Sequence, residues 1–260
     1  MKYECYIGID YSGAKSSTDG LTGIRIYKAF GRDRPVEVNT PENNKKYWSR
    51  KITALWLIDF IKQYPRTLVG IDHGFSFPLR YFDKYSLPHD WYFFLDDFKK
   101  YWPTHLDSVC AEDIRQGNVG NGNLRLGDSK WRRITEILSK GGKSVFHFDV
   151  QGSVAKSTHC GLPWLALIKQ ELNDYVHFWP FDGWTPNNKK ALLAEVYPSL
   201  WNKNFSKGYK TSDQHDAFCI AAMLQKADSN NDLVKWLNPS LNDADKETAK
   251  VEGWILGLLK

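Results

Sequence analysis

Two short apolar runs in the chain close on the same three residues. CYIGID occupies residues 5–10 and TLVGID residues 67–72. Apolar runs of this length, bounded by turn residues, predict buried strands. The connection YSGAKSSTDG is rich in small and polar residues and predicts a turn region. LTGIRIYKAF (21–30) then alternates apolar and polar positions, as a half-buried strand does. VEVN (36–39) predicts a third strand behind GRDRP, so the chain opens on an expected antiparallel meander. Residues 47–63 carry Ile52, Leu55, Trp56, Ile58 and Phe60 on one broad apolar helical face. A strand, a helix and a second strand in succession predict a parallel crossover.

Beyond residue 79 the periodicity weakens. WYFFLDDFKKYW (91–102) predicts a helix, and the Gly- and Asn-rich residues 112–133 predict a mobile loop. SVFHFDV (144–150) predicts a strand, and GLPWLALIKQELN (161–173) a helix with proline near its first turn. VHFWPF (176–181) and LLAEVYP (192–198) predict two more strands. TSDQHDAFCIAAMLQKA (211–227) is almost wholly apolar after six residues and predicts a buried helix with Ser212 as its N-cap. A polar stretch leads to a last apolar segment, VEGWILGLL. No repeat or low-complexity linker divides the chain. The expected organisation is one domain over 1–260 with an insertion at about 79–150.

Composition narrows this picture. At 260 residues and 42% hydrophobic, the chain has ample material for a core. Its net charge of +5 tolerates a polyanionic partner without requiring one. The aromatic share of 15%, with 11 tryptophans, reads first as core packing, and as base-stacking platforms where rings are exposed. Cys5, Cys110, Cys160 and Cys219 form no CxxC pair, which argues against a zinc site and a disulfide framework. MKYECYIGID is too polar for a signal peptide, and the apolar runs fall short of a membrane span. The expectation is a cytoplasmic protein with no membrane partner; the pattern says nothing of its oligomeric state.

The chemistry concentrates in carboxylates. If CYIGID and TLVGID are parallel neighbours, Asp10 and Asp72 meet at the carboxyl edge of the sheet, where α/β proteins place ligands. AEVYPS adds Glu195, and the helix adds Asp213 and Asp216 at i, i+3 on one face. Carboxylates so gathered repel one another unless a cation intervenes. Oxygen-only donors select Mg²⁺ or Mn²⁺. Two such ions, about 3.5–4 Å apart, clamp an in-line displacement at phosphorus. Each residue also has a plainer reading. Asp213 favours the helix macrodipole, GID is a common strand ending, and Glu195 is a candidate salt-bridge partner.

IGIDYSG, VGIDHGFSFP, AEVYPSLW and DQHDAFCIAA, taken together with EGWILGL, resemble a bacterial and archaeal family of predicted ribonuclease H-like nucleases. DQHDAFCIAA alone resembles the terminal helix motif of the Holliday-junction resolvase branch of that superfamily. The resemblance covers most of the chain but leaves residues 79–150 largely unmatched. It implies a ribonuclease H-like α/β fold, with a mixed central sheet of three antiparallel strands followed by parallel strands, flanked by helices. It also implies a Mg²⁺- or Mn²⁺-dependent nuclease acting on DNA or RNA. Asp10 matches the first-strand ligand, Asp72 the fourth-strand acid (glutamate in the resolvases), Asp216 the aspartate of the Asp-Ala pair and Asp213 the residue three before it. Glu195 matches a glutamate of the predicted-nuclease family only. On this reading Asp10, Asp72, Glu195, Asp213 and Asp216 are catalytic, and all but Glu195 are metal ligands.

Several cations stand as expected substrate contacts. Lys156, in GSVAKSTHCG, sits in a sequence that lacks the full phosphate-loop pattern and reads as a helix-entering loop or a phosphate contact. Arg115, Arg125, Lys130, Arg132 and Arg133 lie in the glycine-rich stretch and are expected either to contact phosphates or to form a solvated surface. His73 and His215 flank the acids as hydrogen-bonding neighbours or proton handlers. Two other functions remain open: an actin-like or sugar-kinase-type phosphotransferase, which needs two copies of such a fold, and a non-catalytic nucleic-acid-binding module.

Overall fold

The computed structural model describes residues 2–139, 141–150, 152–187 and 189–259. Its centre is a six-stranded sheet built from β1 (Cys5–Asp10), β2 (Arg25–Phe30), β3 (Val36–Glu37), β4 (Thr67–Asp72), β5 (Val176–Trp179) and β6 (Ala191–Glu195). Their order is β3-β2-β1-β4-β6-β5. The β1, β2 and β3 pairings are antiparallel, and β1 with β4, β4 with β6 and β6 with β5 are parallel. The chain is therefore an α/β protein with a mixed sheet, antiparallel at one side and parallel at the other. Only two residues of the expected third strand pair in full, although the Val38 amide still donates to the Ile26 carbonyl at 2.8 Å.

The helices are α1 (Arg50–Gln63), α2 (Leu79–Lys84), α3 (Trp91–Tyr101), α4 (Ala111–Arg115), α5 (Ile134–Leu138), α6 (Ala155–Leu172), α7 (Ser212–Ser229), α8 (Leu233–Leu237) and α9 (Asp243–Glu252). Successive residues of a strand point to opposite sheet faces. Ile7, Ile9, Val69, Ile71 and Leu193 face one core with Leu57 and Ile61 of α1 and Leu165 and Ile168 of α6. Tyr6, Leu68, Leu192 and Ala194 face the other, with Ile220 and Leu224 of α7 and Trp236 and Trp254 behind them.

Glycine governs how α7 seats itself. A Cβ on Gly8 would lie 2.2 Å from the Ala217 carbonyl oxygen, and one on Gly70 would lie 2.7 Å from an Ile220 methyl. The helix backbone thus rests directly on β1, and the Ile220 side chain fills the space that Gly70 leaves on β4. Its far end is held by Asp228, which accepts from the Lys2 and Tyr3 amides at 2.8 and 3.0 Å and from the Tyr6 hydroxyl at 2.7 Å. With Asp228 beside Tyr6 and Ala217 beside Gly8, α7 runs antiparallel to β1. Its first turns arrive at the carboxyl end of the strand.

The chain between β4 and β5 departs from expectation in three places. Residues 144–150 form turns, not a strand, because Val145 and Phe146 turn into the core, where Phe146 meets Phe77 and Tyr81. Residues 112–133 are not an open loop: α4 and a short 3-10 turn at Gly122–Arg125 organise them. Finally, α6 starts at Ala155, so Pro163 lies inside the helix. Proline removes the bond to the carbonyl four residues back. That carbonyl, of His159, accepts the Thr104 hydroxyl at 2.8 Å instead.

Candidate functional site: an acidic edge beneath a helix start

Asp10 and Asp72 are direct partners in the parallel register of β1 and β4, each the last residue of its strand. Each stands two positions after the glycine that admits α7, so both carboxylates point to the α7 face. The same strand ending therefore supplies the space for the helix and the acid beside it. Asp213 and Asp216 come down from the helix start. A Cβ on Gly23, in the connection before β2, would lie 3.8 Å from the Asp213 carboxylate.

The helix start needs neither aspartate as a cap. Thr211, not Ser212, is the N-cap: its hydroxyl accepts from the Gln214 amide at 3.2 Å, and the Gln214 side chain accepts from the Thr211 amide at 2.9 Å. This is a capping box, and T-x-x-Q is its sequence signature. Both acids are left free to face the sheet edge.

Burial, reinforced by Asp72, Asp213 and Asp216, raises the Asp10 carboxyl well above its ordinary range, against a small opposing pull from the Tyr11 amide. Asp72 is raised in the same way, first by burial and then by Asp216 and Glu195. Burial also raises Asp216; a hydrogen bond from Asn202 and the nearness of His215 and Lys207 pull it down, and Asp213 pushes it up. Among the described residues no lysine, arginine or histidine nitrogen lies within 4 Å of any of these four carboxylates (the ion pairs lie elsewhere). The acids are gathered, but no three His, Cys, Asp or Glu side chains among the described residues already stand as a closed metal-holding group. Their chemistry fits a hard cation: every donor is a carboxylate oxygen, and Asp10 and Asp72 are buried beside further acids.

Glu195 is placed differently. Its register partner is Ile71, not Asp72, so the pleat turns it to the opposite face. There it is 4% exposed and both its oxygens meet the Arg133 guanidinium at 2.6 Å, while the Phe75 amide donates at 3.0 Å. Glu195 still adds to the field on Asp72, but its carboxylate is paired with the Arg133 guanidinium. Val196, whose amide reaches the Ile71 carbonyl at 3.1 Å, follows toward the α7 face, where it packs with Ile220.

The insertion cations do not form the expected phosphate-contacting surface. Arg133 is 1% exposed and holds Glu136 as well as Glu195. Arg125 donates to Asp97 at 3.0 and 3.3 Å between the rings of Tyr85 and Tyr101. Arg115 is divided between Glu112 and Asp149. Arg132 donates to the carbonyls of Glu136 and Gly142. Lys156 lies in the first turn of α6, half-exposed, with Glu112 at 3.7 Å. Of this group Lys130 is left exposed.

His73 is a buried neighbour, not a proton handler: its Nδ1 meets the Gly74 carbonyl at 2.8 Å, and burial lowers it to about 4. His215 pairs with the Phe205 carbonyl at 3.1 Å. Arg50 was not anticipated. Fully buried, it donates to the carbonyls of Ser12, Ala14 and Lys15 and so fixes the loop that follows Asp10. Its isolation in a helical segment, with no acid near it in sequence, was the only available signal.

Two openings adjoin the acids. A cavity of about 40 Å³ touches Asp72, His73, Lys143, Tyr197 and the Glu195 pair. A groove of about 320 Å³ touches Asp216, His215, Asn202, Lys203, Lys207 and Ser212. A larger hollow of about 440 Å³ lies beside Lys2 and Tyr3, at the far end of α7, and presents neither carboxylate nor histidine. The molecule is thus an α/β protein that carries uncompensated acids where two parallel strands end beneath a helix start. Comparison with protein-family models, with curated proteins and with solved structures gave no match. No helix among the described residues is long and apolar enough to cross a membrane.

Proposed function

We propose that the protein is a Mg²⁺- or Mn²⁺-dependent nuclease of the ribonuclease H-like type, hydrolysing phosphodiester bonds of DNA or RNA. The observation that carries this reading is the in-register pair Asp10 and Asp72, facing the start of α7 with no protein cation beside it among the described residues. Buried carboxylates without a counter-charge are costly, and are retained where a ligand supplies that charge. The mixed sheet, with three antiparallel strands followed by parallel ones, supports this reading at the level of strand direction.

Asp10, Asp72, Asp213 and Asp216 would hold the ion, and Glu195 takes no direct part. A bound divalent ion supplies an activated water and neutralises charge at the leaving oxygen. The chain's own contribution is position. The Thr211 and Gln214 cap fixes the start of α7, Asn202 orients Asp216, and Arg50 fixes the loop after Asp10. A phosphotransferase built on two copies of the fold finds no support, since the described residues form one six-stranded sheet.

The test is incubation with single- and double-stranded DNA and RNA, with Mn²⁺ or with a chelator. The expected result is cleavage that the chelator abolishes and that Asp10→Asn loses by at least about a hundredfold, as befits a group acting directly in the chemistry. Cleavage retained in Asp10→Asn, or none on any substrate, removes the reading.

A further inference from the structure

We infer that residues 202–212, between β6 and α7, form a binding track for single-stranded nucleic acid that leads a phosphate to Asp216; this rests on the nuclease reading and names the form of its substrate. Asp216 forms part of the wall of the groove that Lys203, Lys207, Asn202 and Ser212 also line. An anionic strand lying there reaches the acidic site without crossing another surface.

Lys203 and Lys207 are exposed, and Lys210 lies over the Phe218 ring at 4.5 Å. Arg34 approaches the same ring at 5.8 Å. None of these four cations has a carboxylate within 4 Å among the described residues, in contrast to Arg115, Arg125 and Arg133 of the insertion. A row of cations without ion pairs, next to a cluster of acids, suits a polyanion whose phosphates need neutralising along the track and a cation only at the cut.

Tyr209 supplies the second feature. It stands at the tip of a tight turn, fully exposed, between Lys207 and Lys210. The Lys210 amide closes the turn on the Lys207 carbonyl at 3.2 Å, and Gly208 takes the positive φ of 56° that the turn requires. Among the described residues nothing covers the ring. A flat aromatic face flanked by lysines is the pairing that stacks an unpaired base while phosphates are held on either side. A base inside a duplex cannot present its face this way, so the track favours a single strand.

The experiment is fluorescence polarisation with a labelled oligothymidine and with a labelled duplex, in chelator so that nothing is cut, over a salt titration. Tyr209→Ala should weaken binding of the oligothymidine about tenfold, and Tyr209→Trp should restore it. Lys203→Ala, Lys207→Ala and Lys210→Ala combined should flatten the log–log salt slope by about 2, as loss of three phosphate contacts on a single strand does. Circular dichroism checks that these surface variants fold. Affinity and slope unchanged in both variants, with Mn²⁺-dependent cleavage intact, overturn the track and leave the nuclease reading standing. Binding weakened as expected, but no cleavage by the parent protein on any strand, supports the track and removes the nuclease reading. Absence of binding to either oligonucleotide overturns the track.

Discussion

At one edge of the sheet, Glu195 and Glu136 share a single buried arginine, while Asp10 and Asp72, at the ends of neighbouring strands, have no cation within 4 Å among the described residues. Both groups are removed from water, and the difference lies in what the fold supplies. Around Arg133 every carboxylate finds a donor: the guanidinium meets those of Glu195 and Glu136 and the Glu252 carbonyl, and the Glu252 carboxylate accepts the Leu79 and Ile134 amides at 2.7 and 2.8 Å. This network ties the insertion and α9 to the end of β6. On the α7 face the charges are left open. Burial alone is therefore no argument for a functional acid; burial without an internal partner is what supports one.

The largest effect expected from breaking this contrast is on the closed side. Arg133→Met leaves Glu195 and Glu136 buried and unpaired, which costs about 3–5 kcal/mol. Urea unfolding measures it, and a loss below about 1 kcal/mol would show that the network is not the anchor described. Gly8→Ala comes next. Its methyl group must displace the α7 backbone, at a cost of about 1–3 kcal/mol, and should lower divalent-ion binding because Asp213 and Asp216 move with the helix. Calorimetric titration with Mn²⁺ reads the second effect; unchanged affinity in a destabilised variant would separate packing from the site.

The open side gives the smallest effect and the sharpest sign. Folding raises the Asp10 and Asp72 carboxyls, so the cluster carries no penalty at low pH, where it is protonated, and its charge opposes the fold as the pH rises past the ordinary carboxyl range. Asp10→Asn should therefore stabilise the metal-free protein at neutral pH, by about 0.5–2 kcal/mol. The gain should vanish as the pH falls through the ordinary carboxyl range, where the parent is protonated in both states. Mg²⁺ or Mn²⁺ at ten times its dissociation constant should stabilise the parent by about 1.4 kcal/mol, and the variant by less. Thermal melts across pH, with and without metal, check both; destabilisation by Asp10→Asn at neutral pH would refute the electrostatic picture.

Much of the α7 side was legible in sequence. Strand pattern, strand direction and the convergence of Asp10, Asp72, Asp213 and Asp216 follow from local apolar runs and from a repeated strand ending. The cap was expected one residue late, at Ser212, although the T-x-x-Q signature of Thr211 and Gln214 stands in the sequence. The Glu195 side was not legible. Whether an arginine in a glycine-rich stretch is a surface contact or a buried anchor depends on a carboxylate 62 residues away. The register of β6 decided the matter, and a one-residue offset sends a side chain to the other face. The strand expected at 144–150 failed for a similar reason: its apolar residues are drawn into an aromatic core assembled from distant segments.

The glycines under α7 carry a consequence for recognising this architecture elsewhere. An acid alone at a strand end is a weak signal, because acids there serve as caps and surface charges. A glycine two positions before it is a constraint of a different kind, since it leaves room for the backbone of a helix, as at Gly8, or for a side chain of that helix, as at Gly70. Two parallel strands bearing the pair, together with a later helix whose acids lead a small-residue stripe, describe a three-part lock whose pieces must agree in spacing. A search for chains that obey that agreement, tolerant of any insertion between the parts, would gather molecules by shared geometry where overall sequence similarity has faded.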